Sequence, residues 1–296
     1  MSIGEIPVES AGAVSAAQAD TTRREFWRNL LHSKTFIAGA IIVGFWILAA
    51  IFGNLLVPHD PLSQDLSNIN KAPSSAHWFG TDQLGRDIFS RVITGSRDII
   101  IVAPLATLLG TVFGTALGLV MGYYRGATDE IIGRIVEAFL ALPLVVTGIL
   151  GVVAFGSSNL TLIIVIGIVF TPLIARTVRA AVLFERELDY VSAARLRGES
   201  SLYIMFREIL PNVTAPIVVE FTVRLAYAVF TIVTLSFLGF GIQPPSANWG
   251  LEISTNFGQV AAGYWWEVLF DALAIATLVI GVNMVANSIE ATLDES

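Results

Sequence analysis

Residues 190–212 read YVSAARLRGESSLYIMFREILPN. This is the one long polar, arginine-bearing segment between two strongly apolar runs in the second half of the chain, 160–182 before it and 213–240 after it. A helix needs roughly 20 apolar residues to cross the hydrocarbon core of a bilayer, and both runs are long enough. Residues 190–212 therefore read as a loop joining two spans at the membrane surface.

Working outward, four more stretches qualify as spans: 35–57, 99–123, 131–155 and 268–289. The runs are too long and too uniformly apolar for the alternating strands of a barrel. Hydrophobic residues make up 54% of the 296 and charged residues 14%, where a soluble domain carries about a quarter charged. The expected fold class is all-α integral membrane, with six transmembrane helices. A net charge of −7 leaves no basic face for nucleic acid. The chain has no cysteine, which excludes disulfides, thiolate metal sites and a cysteine nucleophile. Residues 1–22 are Ala/Ser/Glu-rich without an apolar core, so they read as a disordered tail and not as a signal peptide.

Lysine and arginine set the orientation. With the N-terminus inside, the cytoplasm receives Arg23, Arg24, Arg28 and Lys34, then Arg125 and Arg134, then Arg176, Arg179, Arg186, Arg195, Arg197 and Arg207. The other side receives Lys71, Arg86, Arg91 and Arg97. Both termini are thus expected in the cytoplasm. The organisation is a cytoplasmic tail (1–34), a first transmembrane helix (35–57), an extracytoplasmic segment (58–98), a core of five transmembrane helices (99–290) with a cytoplasmic loop at 183–212, and a C-terminal tail (291–296).

Gly110, Gly114, Gly118 and Gly122 recur every four residues, which puts small residues on one helix face for close packing. The string GTDQLGRD at 80–87 reads as a turn entering a short amphipathic helix, with Ile88, Val92 and Ile93 on its apolar face and Arg86, Asp87 and Arg91 on its wet face. Neither Asp82 nor Asp87 has a histidine or second carboxylate at a spacing that suggests a metal or acid–base pair, and His77 reads as an interfacial residue beside Trp78. Within the spans, Glu220 and Arg224 stand four apart and can pair, either lining a pathway or sitting at an interface. Arg134 and Glu137 read as a structural pair, and Asn283 and Asn287 as hydrogen-bonding groups between helices. No G-x-x-x-x-G-K-[ST], H-E-x-x-H or G-x-S-x-G string is present. No convincing repeat relates the two halves, as many secondary transporters would show.

Four groups of residues resemble one family. They are GTDQLGRD with Ser90-Arg91 and Gly95-Ser96-Arg97; Arg134-Ile135-Val136-Glu137 with Leu142-Pro143; Ala193, Ala194, Gly198 and Leu210-Pro211; and Leu235-Ser236-Phe237-Leu238-Gly239 with Pro244-Pro245 and Trp249-Gly250. Over residues 35–290 the chain resembles the C-type permease subunits of dipeptide and oligopeptide ABC importers. Residues 190–212 resemble the family's EAA loop, where two alanines precede a glycine and then Leu-Pro. Ser192 stands in place of the loop's glutamate, Glu208 in place of an isoleucine and Ile232 where relatives often carry an acid. The usual Gly-Asp and Asp-Pro near the C-terminus are missing.

The resemblance implies an ABC-importer type I permease fold in the bacterial plasma (inner) membrane. It implies a homologous B-type permease partner, one or two ABC ATPase subunits carrying ATP and Mg, and an extracytoplasmic substrate-binding protein. The chain itself is then no enzyme, with no catalytic residue, no bound cofactor and no metal. The cargo implied is dipeptides or oligopeptides, the alternatives being nickel complexes or another small solute and, on a different mechanism, ion-coupled secondary transport. Coupling to the ATPase falls on Ser192, Ala193, Ala194, Arg195, Arg197, Gly198, Glu199, Leu210 and Pro211. In that reading Ala193 and Ala194 let the backbone press into the partner, Gly198 permits a turn, Pro211 ends the helical segment, and the solvated charges contribute ~0–1 kcal/mol each.

Overall fold

Residues 25–294 are described by a computed structural model. The expectation of a disordered stretch over 1–22 lies outside these residues. Among them there is no sheet, only an isolated antiparallel bridge between Thr81 and Asp87. Residues 25–32 are helical, and Ser33 then caps α1, Lys34–Leu56, by accepting from the Phe36 amide at 3.3 Å. A polar loop leads to α2, Ile88–Tyr124, followed by α3, Gly126–Leu140, α4, Leu144–Phe155, and α5, Asn159–Glu185. The short α6 is Asp189–Leu196. Helical turns at Ser201–Tyr203, a π-turn at Ile204–Ile209 and Leu210–Asn212 lead into α7, Thr214–Phe237. Then come α8, Trp249–Asn256, and α9, Trp266–Asp294, which carries helix past the expected start of a C-terminal tail.

Among the described residues five helices, α1, α2, α5, α7 and α9, are long and apolar enough to cross a membrane. The expected span at 131–155 is not one straight helix. It is the pair α3 and α4, bent by 91° at a break of four residues or fewer. Pro143 explains the break: it lacks an N–H and disfavours helical backbone at Leu142. Counting the bent pair as one span restores six. The second span also starts earlier than expected, at Ile88 and not at 99, because Asp87 caps it by accepting from the Ser90 amide at 2.9 Å. The apolar and wet faces expected around 86–93 change accordingly. Ile88, Val92 and Ile93 are buried, but so are Asp87 and Arg91.

The core is built on α2 against α5. The row Gly110, Gly114, Gly118 and Gly122 lies on that contact. A Cβ on Gly118 would stand 2.7 Å from Val178 Cβ and 2.8 Å from the Ala175 carbonyl, so these backbones approach as only glycine allows. Phe170, Ile174, Val178 and Val182 of α5 are fully buried. At the end where α1 stops and α2 starts, Trp249 of α8 is fully buried. Its indole donates to the Val92 carbonyl at 2.8 Å and meets Trp46 of α1 edge-on, 4.8 Å between centroids. That contact gives the Trp249-Gly250 dipeptide a packing role.

Candidate coupling surface and buried charge network

At the end where α2 and α5 finish, α6 presents two faces. Val191 and Ala194 point inward, Ala194 at 0% exposure, while Ser192, Ala193, Arg195, Leu196, Arg197 and Gly198 are exposed. The expectation that Ala194 presses on a partner is therefore corrected: its methyl is spent on this chain's own core. The residue that sequence reasoning missed is Leu196, at 91% exposure. An apolar side chain that far into water at a helix terminus is itself a signal, but only once the facing is known.

Gly198 closes α6 in a left-handed turn at φ +77°. The Gly198 amide donates to the Arg195 carbonyl at 3.0 Å and the Glu199 amide to the Ala194 carbonyl at 3.2 Å, the paired bonds of a Schellman ending. No atom lies within 4 Å of where a Gly198 Cβ would stand. Gly198→Ala is thus expected to cost only the conformational term, about 1–2 kcal/mol. Gly198→Asn should cost less; circular dichroism melts of the two variants check this. Arg197 reaches across the turn to Glu208 at 2.9 Å and to Glu199 at 3.8 Å. Pro211 does not end the helical segment as expected, because it sits in the first turn of Leu210–Asn212, where its missing N–H is tolerated. The break falls at Val213 instead, at φ −100° and ψ 12°.

Polar contacts fasten α6 to the core. Tyr190 donates to Glu185 at 2.8 Å and accepts from Asn212 at 3.1 Å. Burial, then the Glu185 bond, push its phenol up to about 12, so it keeps the proton it donates. Arg186 donates to the Tyr123 carbonyl at the end of α2, where the helix dipole favours a cation. Arg195 lies over the Tyr123 ring, 5.5 Å from its centroid, and Arg125 pairs with Glu187 at 3.0 Å. These contacts tie α6 and the turn before it to the ends of α2 and α5.

On α7, Arg224 donates to Glu220 at 2.9 Å and stacks over Tyr227, while Thr177 of α5 donates to the other Glu220 oxygen at 2.7 Å. The expected pair is present and carries a third member. The expected Arg134–Glu137 pair is not made: Arg134 bonds Glu130 at 2.5 Å, four residues back on the same helix. Asn283 and Asn287 are exposed on α9, and Asn287 lines an open cavity with Asn29, Ser33 and Thr35. A fork the spacing could not reveal joins α3 to α5, where Arg179 donates to both oxygens of Asp129 at 2.5 and 2.7 Å. Asp129, Arg179, Arg134, Glu137 and Arg176 line an open cavity of 510 Å³ that carries both signs of charge.

At the opposite end the GTDQLGRD string forms a buried network. Asp82 accepts from the Leu84 and Arg86 amides at 2.8 and 2.9 Å and pairs with Arg86 at 2.6 Å. Arg91, 2% exposed, bonds Glu252 of α8 and the Pro61 carbonyl, and Arg86 reaches Glu252 at 3.5 Å. Arg86 and Arg91 are thus the ties between the loop after α1, the start of α2 and α8, and the wet-face expectation fails because Glu252 lies 161 residues from Arg91 in sequence. His77 is likewise no interfacial bystander. Its Nδ1 lies 2.9 Å from Asp87 Oδ1, and His59 Nδ1 lies 3.8 Å from the same oxygen.

Residues 114–296 match the model of the binding-protein-dependent transport system inner membrane component family. The chain belongs to that family. It is an inner-membrane permease component of a binding-protein-dependent ABC importer, and the bundle above is the fold of such a permease. Residues 21–73 match a second model, the N-terminal TM domain of oligopeptide transport permease C. Among curated relatives, the permease is 34% identical over 284 residues to the dipeptide transport system permease protein DppC of Bacillus subtilis, covering 94% of this chain and 89% of the relative. It is 37% identical over 276 residues to the glutathione transport system permease protein GsiD of Pectobacterium atrosepticum, covering 93% and 91%. The GsiD of an Escherichia coli strain is 36% identical over 283 residues, covering 95% and 93%.

Proposed function

We propose that this permease forms half of the pathway of an ABC importer for dipeptides, oligopeptides or solutes of that size, and that α6 with its closing turn receives the motion of an ATPase. The observation that carries the reading is the exposed ridge of Ser192, Ala193, Leu196 and Gly198 on a helix fastened to α2 and α5. A short rigid helix passes displacement on where a flexible loop would absorb it. Leu196 offers the apolar anchor of a docking contact, with Arg195, Arg197 and Glu199 around it as a polar rim.

The relatives named for dipeptide and glutathione transport support a short-peptide cargo. ATP and Mg then belong to separate ATPase chains, and a homologous permease and an extracytoplasmic binding protein complete the assembly, with both termini of this chain in the cytoplasm. Glu220 and Arg224, partly exposed on α7, either line the pathway or meet the second permease. Leu196→Asp tests the docking. Its side chain touches no core, so the subunit should accumulate normally while uptake falls at least ~30-fold, as for loss of a buried apolar anchor worth at least 2 kcal/mol. Full uptake of labelled dipeptide by Leu196→Asp at normal abundance overturns the coupling role.

A further inference from the structure

The polar loop between α1 and α2 folds tightly on itself. The Thr81 amide donates to the Lys71 carbonyl at 2.9 Å and the Asn70 amide to the Asp82 carbonyl at 3.0 Å. The Asp65 carbonyl occupies the place a Cβ on Gly85 would take. This frame brings together three groups far apart in sequence: His59 just beyond α1, His77 in the middle of the loop, and Asp87 at the cap of α2. We propose that His59, His77 and Asp87 form a binding site for a divalent transition metal of the Zn²⁺ type, a site that clips the end of α1 to the start of α2.

Three observations carry this. First, Nδ1 of both imidazoles faces one carboxylate oxygen, at 2.9 Å from His77 and 3.8 Å from His59, and the ligand atoms of all three residues lie within 4.8 Å of one another. Tetrahedral ligands about 2.0–2.1 Å from zinc stand about 3.3–3.4 Å apart, between those two distances. Second, Asp87 divides its oxygens. Oδ2 accepts from the Ser90 amide and hydroxyl at 2.9 and 2.7 Å and holds the helix cap, which leaves Oδ1 to the two imidazoles. A carboxylate ligand oriented by hydrogen bonds on its other oxygen is the usual support for a metal. Third, burial is graded. Asp87 is buried, His77 is partly buried and His59 is exposed, so the site is held from inside and open from outside. Asp60 and Asp65 line the same cavity and favour a cation there. Two imidazole nitrogens and one oxygen select transition ions over Ca²⁺ or Mg²⁺, which take oxygen. The fourth position belongs to water on the exposed side of His59.

The test uses the full-length chain, purified in detergent without a histidine tag and stripped with chelator. Zn²⁺ titration by calorimetry should show about one saturable site per chain, and bound Co²⁺ should give visible ligand-field bands. His59→Gln should weaken Zn²⁺ by at least ~10-fold and remove the Co²⁺ bands. It leaves the Ser90 cap and the His77 contact in place, and its gel-filtration profile confirms folding. Zn²⁺ should raise the melting temperature of the wild type and not of His59→Gln. No saturable Zn²⁺ site on the wild type, or equal Zn²⁺ affinity in His59→Gln, overturns the proposal. In that event His77 serves only to brace the α2 cap.

Discussion

Arg91→Met should strip most of the folded subunit from the membrane. The guanidinium is the central tie between three segments, bonding the Pro61 carbonyl at 2.6 Å, the Ser246 carbonyl at 3.3 Å and the Glu252 carboxylate. Methionine fills the space and leaves Glu252 buried with only Arg86, at 3.5 Å. Asp82, buried and paired with the same Arg86, adds repulsion. Removing one partner of a buried ion pair costs about 3–5 kcal/mol, a large part of a total stability of about 5–15 kcal/mol. Membrane abundance and the melting temperature in detergent measure the loss. Adding Glu252→Gln should recover part of it, because the orphaned charge goes with it. Wild-type abundance and melting of Arg91→Met would remove the network from any structural role.

Gly118→Leu should do comparable damage by a different route. Its first carbon alone meets Val178 Cβ at 2.7 Å and the Ala175 carbonyl at 2.8 Å, and a backbone carbonyl inside α5 cannot swing aside. α2 and α5 must then separate, which costs about 1–3 kcal/mol or more for overpacking, and further contacts along the glycine row are lost. Gly44→Leu on α1 is the control, since nothing lies within 4 Å of that position. The expected outcome is loss of folded Gly118→Leu with Gly44→Leu near wild type, read by protease resistance in membrane vesicles. Equal behaviour of the two would mean that α2 and α5 do not need their close approach.

Much of this was legible from residue order because a bilayer imposes a simple rule. Span length follows from hydrocarbon thickness, so α1, α2, α5, α7 and α9 stand near their expected places. The glycine row was readable since a period of four keeps residues on one face. The Glu220–Arg224 pair was readable for the same reason, though its third member, Thr177, comes from another helix. What stayed hidden depends on contacts between distant segments. Glu252 is what turns Arg91 from a wet residue into a buried one, and Asp87 is what recruits His77 and His59. The facing of α6 was hidden too, because two adjacent alanines cannot share a side of a helix and only the packing decides which turns inward.

The right-angled elbow at Ala141–Leu142–Pro143 has a consequence for how this permease sits in lipid. α4 has 12 residues and so reaches only ~18 Å, well short of a ~30 Å hydrocarbon slab. If the bent pair is counted as one span, the elbow falls between its two halves, where acyl chains offer no hydrogen bonds. Its own turn meets most of that demand: the Ala141 and Leu142 amides donate to the Glu137 and Phe139 carbonyls at 3.0 and 3.2 Å, and the Pro143 carbonyl accepts from the Thr147 amide at 3.0 Å, so the bend is self-satisfied and can persist in lipid.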